Sequence, residues 1–201
     1  MEEVTIPNEI YTVGHSNHTT ETFLNLLRSN GITAIADVRS APHTRVNPDF
    51  CRPALDEVMN LAGIVYVFMG SELGARSAER YCYVNGRVSY DRLSMQAEFR
   101  DGLKRIERGS TKFRMALLCA EKEPLQCHRC ILVARHLVSR GLSVSHILAD
   151  GSIERHHDTI ARLKQSLGLT INGDMFNSDE DLTNLAYTRQ EEEIAYIAPG
   201  E

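Results

Sequence analysis

Hydrophobic positions follow two alternating patterns along the chain. Five short apolar runs of strand length are separated by segments in which apolar residues recur every three or four positions, as Phe23, Leu24 and Leu27 do. Strands are predicted at 11–14, 32–38, 64–69, 113–119 and 142–148. Helices are predicted at 19–31, 53–63, 90–109, 127–141 and 152–168. The pattern therefore predicts five strand-then-helix units.

Strands that alternate with helices of this length indicate a parallel sheet with right-handed crossovers. We expect an α/β fold of three layers, doubly wound and flavodoxin-like or Rossmann-like, around a mostly parallel five-stranded sheet. Five units are too few for an eight-stranded barrel. Residues 1–171 are expected to form this single domain, and residues 172–201 an acidic C-terminal extension with a loop and a short helix.

The composition is that of an ordinary globular protein. Apolar residues make up 42% and charged residues 24%, which excludes a disordered, collagen-like or coiled-coil chain. The sequence has no apolar run of about 18 residues and its N-terminus has no secretory signal pattern. Five cysteines, an odd number, favour reduced thiols over a disulfide framework. We expect a cytoplasmic protein with no membrane partner.

Charge is distributed unevenly. Residues 172–201 contain eight acidic residues and one arginine, so the rest of the chain has a net charge of +2 although the whole has −5. Arginine accounts for 18 of the 22 basic residues. The guanidinium fork suits bidentate capture of phosphate or carboxylate. An anionic small molecule or a nucleic acid is therefore the expected partner, although unspecific DNA binding usually requires a larger basic excess.

Chemically reactive residues are concentrated after the predicted strands. The segments GHSNH, DVRSAPHTR, GSELGAR, CAEKEPLQCHR and ADGS follow the five strands, whereas the loops after the helices are ordinary helix exits. In open α/β sheets the ligand binds beyond the carboxyl ends of the strands, so the site is predicted there. Neither a glycine-rich dinucleotide loop nor a P-loop is present, and we expect no cofactor.

The candidate catalytic residues are His15 and Glu121, which would transfer protons, and Cys119, a thiol near a predicted helix N-terminus. The candidate substrate-binding residues are Ser16, Asp37, Arg39, Arg45, Arg76, Lys122, Cys127, His128 and Arg129. Structural roles remain open for several of them. Asp37 and Arg39 suit an internal ion pair, and Cys119 suits a packed strand end.

A metal site is not expected from the spacing. Cys119, Cys127, His128 and Cys130 form the pattern C-x7-C-H-x-C, which is not a standard zinc spacing. The adjacent pair His156-His157 cannot share one helix face. The sequence therefore predicts no bound metal.

Several of these segments together resemble one known family. YTVGHS, IADVRSAPHTR, SELGAR, LLCAEKEPLQCHR and SHIL, between Ile10 and His146, are similar in order to the motifs of the family named domain of unknown function 488, and RQEEEIAY resembles its C-terminal end. The resemblance implies a soluble bacterial or archaeal α/β domain without an established activity. The chain departs from the family pattern at Thr44, usually serine, and at Gly74-Ala75, commonly two glycines.

A weaker similarity links the chain to rhodanese-type sulfurtransferases, which also have Asp-Val-Arg after a strand and a cysteine loop before a helix. Here Cys119 is ten residues from Arg129 and residues 120–128 contain no glycine, unlike a phosphate-cradling cysteine loop. The similarity is therefore one of topology.

The leading hypothesis is an enzyme that acts on a phosphorylated small molecule, a nucleotide or a nucleic acid by hydrolysis or group transfer. Arg39, Arg45 and Arg129 would hold the anion while His15 and Glu121 transfer protons. One alternative is a non-catalytic module that binds nucleic acid or another anion. A second alternative is a thiol-based redox or sulfurtransferase-like protein.

Overall fold

Strand and helix alternate through most of the chain in the computed structural model, which describes residues 9–43, 47–169 and 178–199. The strands are β1 (Glu9–Gly14), β2 (Ala34–Asp37), β3 (Val65–Phe68), β4 (Tyr83–Val84), β5 (Arg87–Val88), β6 (Met115–Cys119), β7 (Ser143–Ile147) and β8 (Ile153–Arg155). The helices are α1 (Thr20–Ser29), α2 (Arg52–Leu61), α3 (Gly70–Leu73), α4 (Tyr90–Ser94), α5 (Ala97–Ser110), α6 (Arg135–Val138), α7 (His156–Ser166) and α8 (Asp179–Ile194). A π-helical segment, Arg129–Ala134, leads directly into α6.

The central sheet has six strands in the order β3-β2-β6-β1-β7-β8, and β4 pairs with β5 in a separate ribbon. The sheet is parallel from β3 through β7 in this spatial order, which confirms the predicted α/β class and mostly parallel sheet. The predicted strand count of five is wrong, because β8 joins the edge antiparallel to β7. A turn at Gly151, with φ of 87°, folds the chain back, and the backbone N–H of Leu148 donates to Ser152 O.

The order of the parallel strands matches neither of the two fold types expected. A Rossmann-like sheet runs 3-2-1-4-5-6 and a flavodoxin-like sheet 2-1-3-4-5, whereas here β6 lies between β2 and β1. Hydrophobic periodicity identifies a strand but carries no information about its neighbours. The insertion of β6 places Cys119 beside the ends of both β1 and β2.

Side chains along the central strands alternate between two cores. In β1, Ile10 belongs to one buried cluster and Tyr11 to the other. The cluster around Tyr11 includes Phe23 of α1 and Leu55 of α2. The opposite cluster receives side chains from α5, the π-helical segment, α6, α7 and α8. Helices therefore cover both faces of the sheet.

The C-terminal helix differs from the short helix predicted. α8 has sixteen residues and begins with a capping box between Ser178 and Asp181. Ala186 and Tyr187 are buried in the same core cluster as α5 and α7, so this acidic helix packs on the domain. The sequence indicated a loop over 169–188, and this is wrong for 179–188, which belong to α8, while residues 170–177 lie outside the described residues. Within the described chain, every helix is too short or too polar to cross a membrane.

Candidate active site

The carboxyl ends of β1, β2 and β6 meet at one edge of the sheet. Gly14 is in register with Cys119, and Asp37 with Leu118. The backbone N–H of His15 donates to Cys119 O at 3.0 Å, which extends the pairing one residue beyond the strand. The first and the fourth of the parallel strands along the chain, β1 and β6, are thus direct neighbours. Most of the residues singled out from the sequence therefore surround one region.

Two cysteines and one histidine converge at this edge. Cys119 ends β6, Cys127 precedes the π-helical segment, and both sulfur atoms face Nδ1 of His128, at 3.7 and 3.9 Å. His128 Nε2 lies 3.0 Å from the carbonyl oxygen of Val38. A carbonyl only accepts, so Nε2 carries a proton, and in the neutral ring Nδ1 presents its lone pair to the sulfurs. We refer to these three side chains as the thiol–imidazole centre.

The pKa values of the two thiols in this centre are shifted in opposite directions. The hydrogen bond with Cys127 and then burial raise the pKa of Cys119 well above its usual value. Burial also acts to raise the pKa of Cys127, but the hydrogen bond with Cys119 and the Arg129 guanidinium together hold that pKa well below its usual value. Cys127 therefore loses its proton more readily than Cys119 does.

The thiol–imidazole centre lines a pocket of about 240 Å³. Tyr90, Ile194 and Tyr196 form part of its wall, and Glu121 and Arg76 also line it. The Arg76 guanidinium lies 4.4 Å from the centre of the Tyr196 ring, which holds this exposed cation beside the pocket. A larger depression of about 570 Å³ at the same edge is lined by Ser16, Lys122 and other loop residues but contains no thiol. The smaller pocket is therefore the one of the two that brings thiols and an imidazole to its surface.

Arg129 holds the loop between the two cysteines. Its side chain is fully buried, and Nη1 and Nη2 donate to the carbonyl oxygens of Glu121 and Lys122 at 2.6 and 3.3 Å. Its Nε donates to Thr12 Oγ1 at 3.3 Å. The guanidinium that was predicted to bind substrate is thus engaged in positioning the backbone of the site.

Gly14 makes room for this loop, and we expect Gly14→Ala to destabilise the fold. A Cβ at Gly14 would lie 1.9 Å from the carbonyl oxygen of Glu121 and 3.2 Å from Arg129 Nη1. Because backbone must move to relieve that overlap, a loss of about 1–3 kcal/mol in the free energy of unfolding is expected. Gly109→Ala is the control, since its Cβ would meet only the flexible end of Met115, at 3.1 Å. Urea unfolding measures both, and equal stabilities would contradict the close-approach argument.

Asp37 and Arg39 form the internal ion pair that the sequence left open. Arg39 Nε and Nη2 donate to the two carboxylate oxygens of Asp37 at 2.9 and 2.6 Å, and Nη1 donates to Phe50 O at 2.8 Å. The hydroxyl of Tyr66 donates to Asp37 Oδ2 at 2.7 Å. Desolvation acts to lower the pKa of Arg39, but Asp37 raises it above its usual value. Both charges are buried and paired, although Arg39 also lines the pocket.

The remaining candidates are dispersed around the edge. His15 is buried, stacks on Phe50 with ring centres 4.4 Å apart, and its Nδ1–H donates to Ser16 O. Burial, followed by the charge of Arg39, lowers the pKa of His15 to about 4, so the ring is neutral at pH 7. Glu121 is exposed at the pocket, on the loop after β6. Arg45 lies outside the described residues, and its predicted role stays a prediction.

A buried chain of polar side chains lies behind the site, and sequence reasoning missed most of it. Thr12 Oγ1 is 2.7 Å from His146 Nδ1, His146 Nε2 is 3.0 Å from His156 Nδ1, and His156 Nε2 is 2.8 Å from the Tyr187 hydroxyl. The guanidinium of Arg129 only donates, so Thr12 accepts from it and donates onward. With neutral rings, each histidine then accepts at Nδ1 and donates at Nε2.

This histidine chain predicts acid sensitivity. Burial lowers the pKa of His156 to about 4, and burial with the charges of His156, Arg129 and Arg162 lowers that of His146 well below its usual value. The unfolded chain therefore binds more protons than the native chain between pH 4 and about 6.5. The stabilisation is complete above about pH 6.5 and is lost as pH falls through about 4, by on the order of 3 kcal/mol for His156.

Urea unfolding at pH 7 and pH 4.5 measures this dependence. His156→Gln is expected to flatten it, because glutamine keeps hydrogen-bonding groups but does not titrate. His157→Gln is the matched control, since the neighbouring ring is 80% exposed. The same pH dependence in the wild type and in His156→Gln would show that other groups control it.

Pocket-wall residues outside the motif loops were also missed. Tyr90 begins α4, and Ile194 and Tyr196 belong to the end of α8 and the residues after it. A sequence signal exists for the buried chain, since Thr12 and His146 are polar residues inside predicted strands. No periodic signal identifies the aromatic wall, because it is created by the return of the C-terminal segment to the sheet edge.

Comparison with known proteins gives one match. A family model described as Domain of unknown function DUF488 matches residues 19–136. The matched range contains the complete thiol–imidazole centre and the Asp37–Arg39 pair, whereas His15 precedes it. No curated protein and no solved structure matches the chain.

Proposed function

The chain belongs to the family described as Domain of unknown function DUF488, and because that description specifies no reaction, we propose a function from the site itself. The protein is an enzyme that hydrolyses or transfers a group of an anionic substrate, with the thiol–imidazole centre as its reactive centre. The observation that carries this proposal is the convergence of two sulfur atoms on one imidazole nitrogen beside a pocket, within 3.9 Å.

The expected substrate is anionic because of the side chains around the pocket. Arg76 is exposed there, and its guanidinium is oriented by the Tyr196 ring. A volume of about 240 Å³ is below the roughly 300–1,000 Å³ of pockets that enclose a whole drug-sized ligand. The pocket therefore suits a phosphoryl or carboxylate group whose parent molecule extends outward, as a nucleotide or the end of a nucleic acid would.

Glu121 is the candidate proton carrier. It lines the pocket beside Cys119, and its main-chain carbonyl is held by Arg129. His15, the other predicted proton carrier, is stacked on Phe50 and donates to a backbone carbonyl. The structure thus favours Glu121 over His15 for exchange of protons with a substrate in this pocket.

The test is a substrate panel with matched variants. Nucleoside phosphates, sugar phosphates and short RNA and DNA oligonucleotides are incubated with the purified full chain, and products are identified by mass spectrometry. Cys127→Ser and Glu121→Gln are each expected to lower kcat/KM by at least about 100-fold. Cys51→Ser is the control, because Cys51 caps α2, where serine is favourable. Unchanged turnover in Cys127→Ser contradicts the proposal, and binding without turnover supports a binding module instead.

A second candidate function is dithiol redox chemistry, favoured by the proximity of the Cys119 and Cys127 sulfur atoms, which lie within 4.8 Å of each other. Forming one S–S bond would release two protons and pass two electrons to an acceptor such as a small-molecule disulfide. Reversible loss of two alkylatable thiols, measured by intact mass, supports this function. Two thiols that remain alkylatable after oxidation contradict it.

A further inference from the structure

We infer that Cys119, Cys127 and His128 bind a divalent transition-metal ion of the zinc class, with an open coordination position toward the pocket. The inference rests on the proposed function and deepens it, because the ion would supply the Lewis acid for hydrolysis or group transfer. It reverses the expectation from sequence spacing. The three donor atoms lie within 4.8 Å of one another.

The distances between the donor atoms fit tetrahedral coordination. Zinc binds sulfur at about 2.3 Å and histidine nitrogen at about 2.0–2.1 Å, so a tetrahedral S–Zn–N angle separates sulfur and nitrogen by roughly 3.6 Å. The two observed separations are 3.7 and 3.9 Å. One lone pair at Nδ1 cannot accept a strong hydrogen bond from two thiols at once. One cation placed between the two sulfur atoms and Nδ1 of His128 would accept a lone pair from all three.

The surroundings of His128 are those of a metal-binding histidine. A ligating ring usually donates its other N–H to a carbonyl or carboxylate, which fixes its tautomer and orientation. His128 does so through Nε2, which lies 3.0 Å from Val38 O. The remaining nitrogen therefore faces Cys119 and Cys127 as a donor lone pair.

The donor set and the local charge also suit such an ion. Two thiolates and one imidazole select soft or borderline metals such as Zn²⁺ over Mg²⁺ or Ca²⁺. Binding would release the thiol protons, and two thiolates would balance the charge of the ion. Three protein ligands with a fourth position open is the arrangement of a catalytic zinc site. Arg129 keeps the loop between the ligands in place through Glu121 O and Lys122 O.

A second group of possible ligands in the described chain does not support the same inference. Cys130, His146 and His156 are also close together and buried. All four of their ring nitrogens already take part in hydrogen bonds with Thr12, Tyr187 or each other. Every ring lone pair in that group has a hydrogen-bond partner, whereas in the thiol–imidazole centre two sulfur atoms face a single lone pair.

Cobalt binding to the full chain tests the inference without requiring a substrate. After treatment with a chelator, Co²⁺ is expected to bind at one ion per chain and to give thiolate-to-cobalt charge-transfer absorption with the visible bands of tetrahedral Co²⁺. Competition with a chromophoric chelator then gives the Zn²⁺ affinity. Cys119→Ser, Cys127→Ser and His128→Ala are each expected to weaken it by at least about 100-fold, whereas Cys130→Ala retains it.

Failure of the inference and failure of the proposed function give different results. Absence of the charge-transfer band from the wild type overturns the metal site, and turnover by that metal-free protein would leave the proposed enzyme intact. Stoichiometric binding with no turnover supports the metal site and contradicts the enzyme. Far-UV circular dichroism identifies variants that fail to fold, and wild-type affinity in a folded Cys127→Ser protein overturns the assignment of ligands.

Discussion

Asp37→Ala is expected to lower the free energy of unfolding by about 3–5 kcal/mol, the cost of leaving a buried charge without its partner. Asp37 is fully buried and accepts from both Arg39 and Tyr66. Alanine would leave the Arg39 guanidinium, 6% exposed, beside an empty space. Urea unfolding at pH 7 is the measurement.

Two control variants distinguish the contribution of the buried Asp37–Arg39 pair to stability from that of an ordinary surface charge. Tyr66→Phe removes only one hydrogen bond to Asp37 and is expected to cost about 0.5–1.5 kcal/mol. Asp101→Ala removes an exposed carboxylate paired with Lys104 and is expected to leave the unfolding curve unchanged. An Asp37→Ala protein as stable as Asp101→Ala would show that the pair does not contribute to the fold.

Arg129→Met is the second substitution with a large expected effect. Methionine is apolar and unbranched, so it fills part of the space but leaves the carbonyl oxygens of Glu121 and Lys122 and the hydroxyl of Thr12 without their donor. Each buried group left unsatisfied costs about 1–3 kcal/mol, and because the two carbonyls are only partly buried, a loss at the lower end of the sum, about 3–5 kcal/mol, is expected. The loop between Cys119 and Cys127 would lose its clamp at the same time.

Arg140→Met provides the matched control for this substitution. Arg140 forms an ion pair with Glu107 near the surface, and its loss is expected to cost under about 1 kcal/mol. Urea unfolding compares the two variants, and Co²⁺ titration reports on the site. Arg129→Met with wild-type stability would contradict the clamp. The free energy of unfolding of Arg129→Lys is expected to lie between those of the wild type and Arg129→Met. An ammonium keeps the charge but lacks the planar fork that reaches two carbonyls.

Local patterns were sufficient to predict much of the fold. Parallel strands, their intervening helices and the side of the sheet that bears Cys119 and Asp37 follow from periodicity and from the strand-end rule. β8 was not predicted because it has only three residues and is continuous with a helical pattern. A strand that short becomes visible only through its pairing with β7.

The candidate site residues were also predictable only in part from the sequence. Sequence reasoning selected Cys119, Cys127, His128 and Glu121 because they follow a strand, and all four line one pocket. Their arrangement around the pocket depends on the tertiary structure. The spacing between Cys119 and Cys127 matches no standard metal motif, since it depends on a loop whose path is set by Arg129.

By itself the sequence determined the α/β class, the mostly parallel sheet and the family, because these depend on periodicity and short motifs that are local in the chain. Only the tertiary structure decided that β6 lies between β1 and β2, which brings Cys119 beside Gly14 and close to His128. The Arg129 guanidinium is likewise held by Thr12, 117 residues away along the chain. Such long-range pairings leave no periodic trace in the chain.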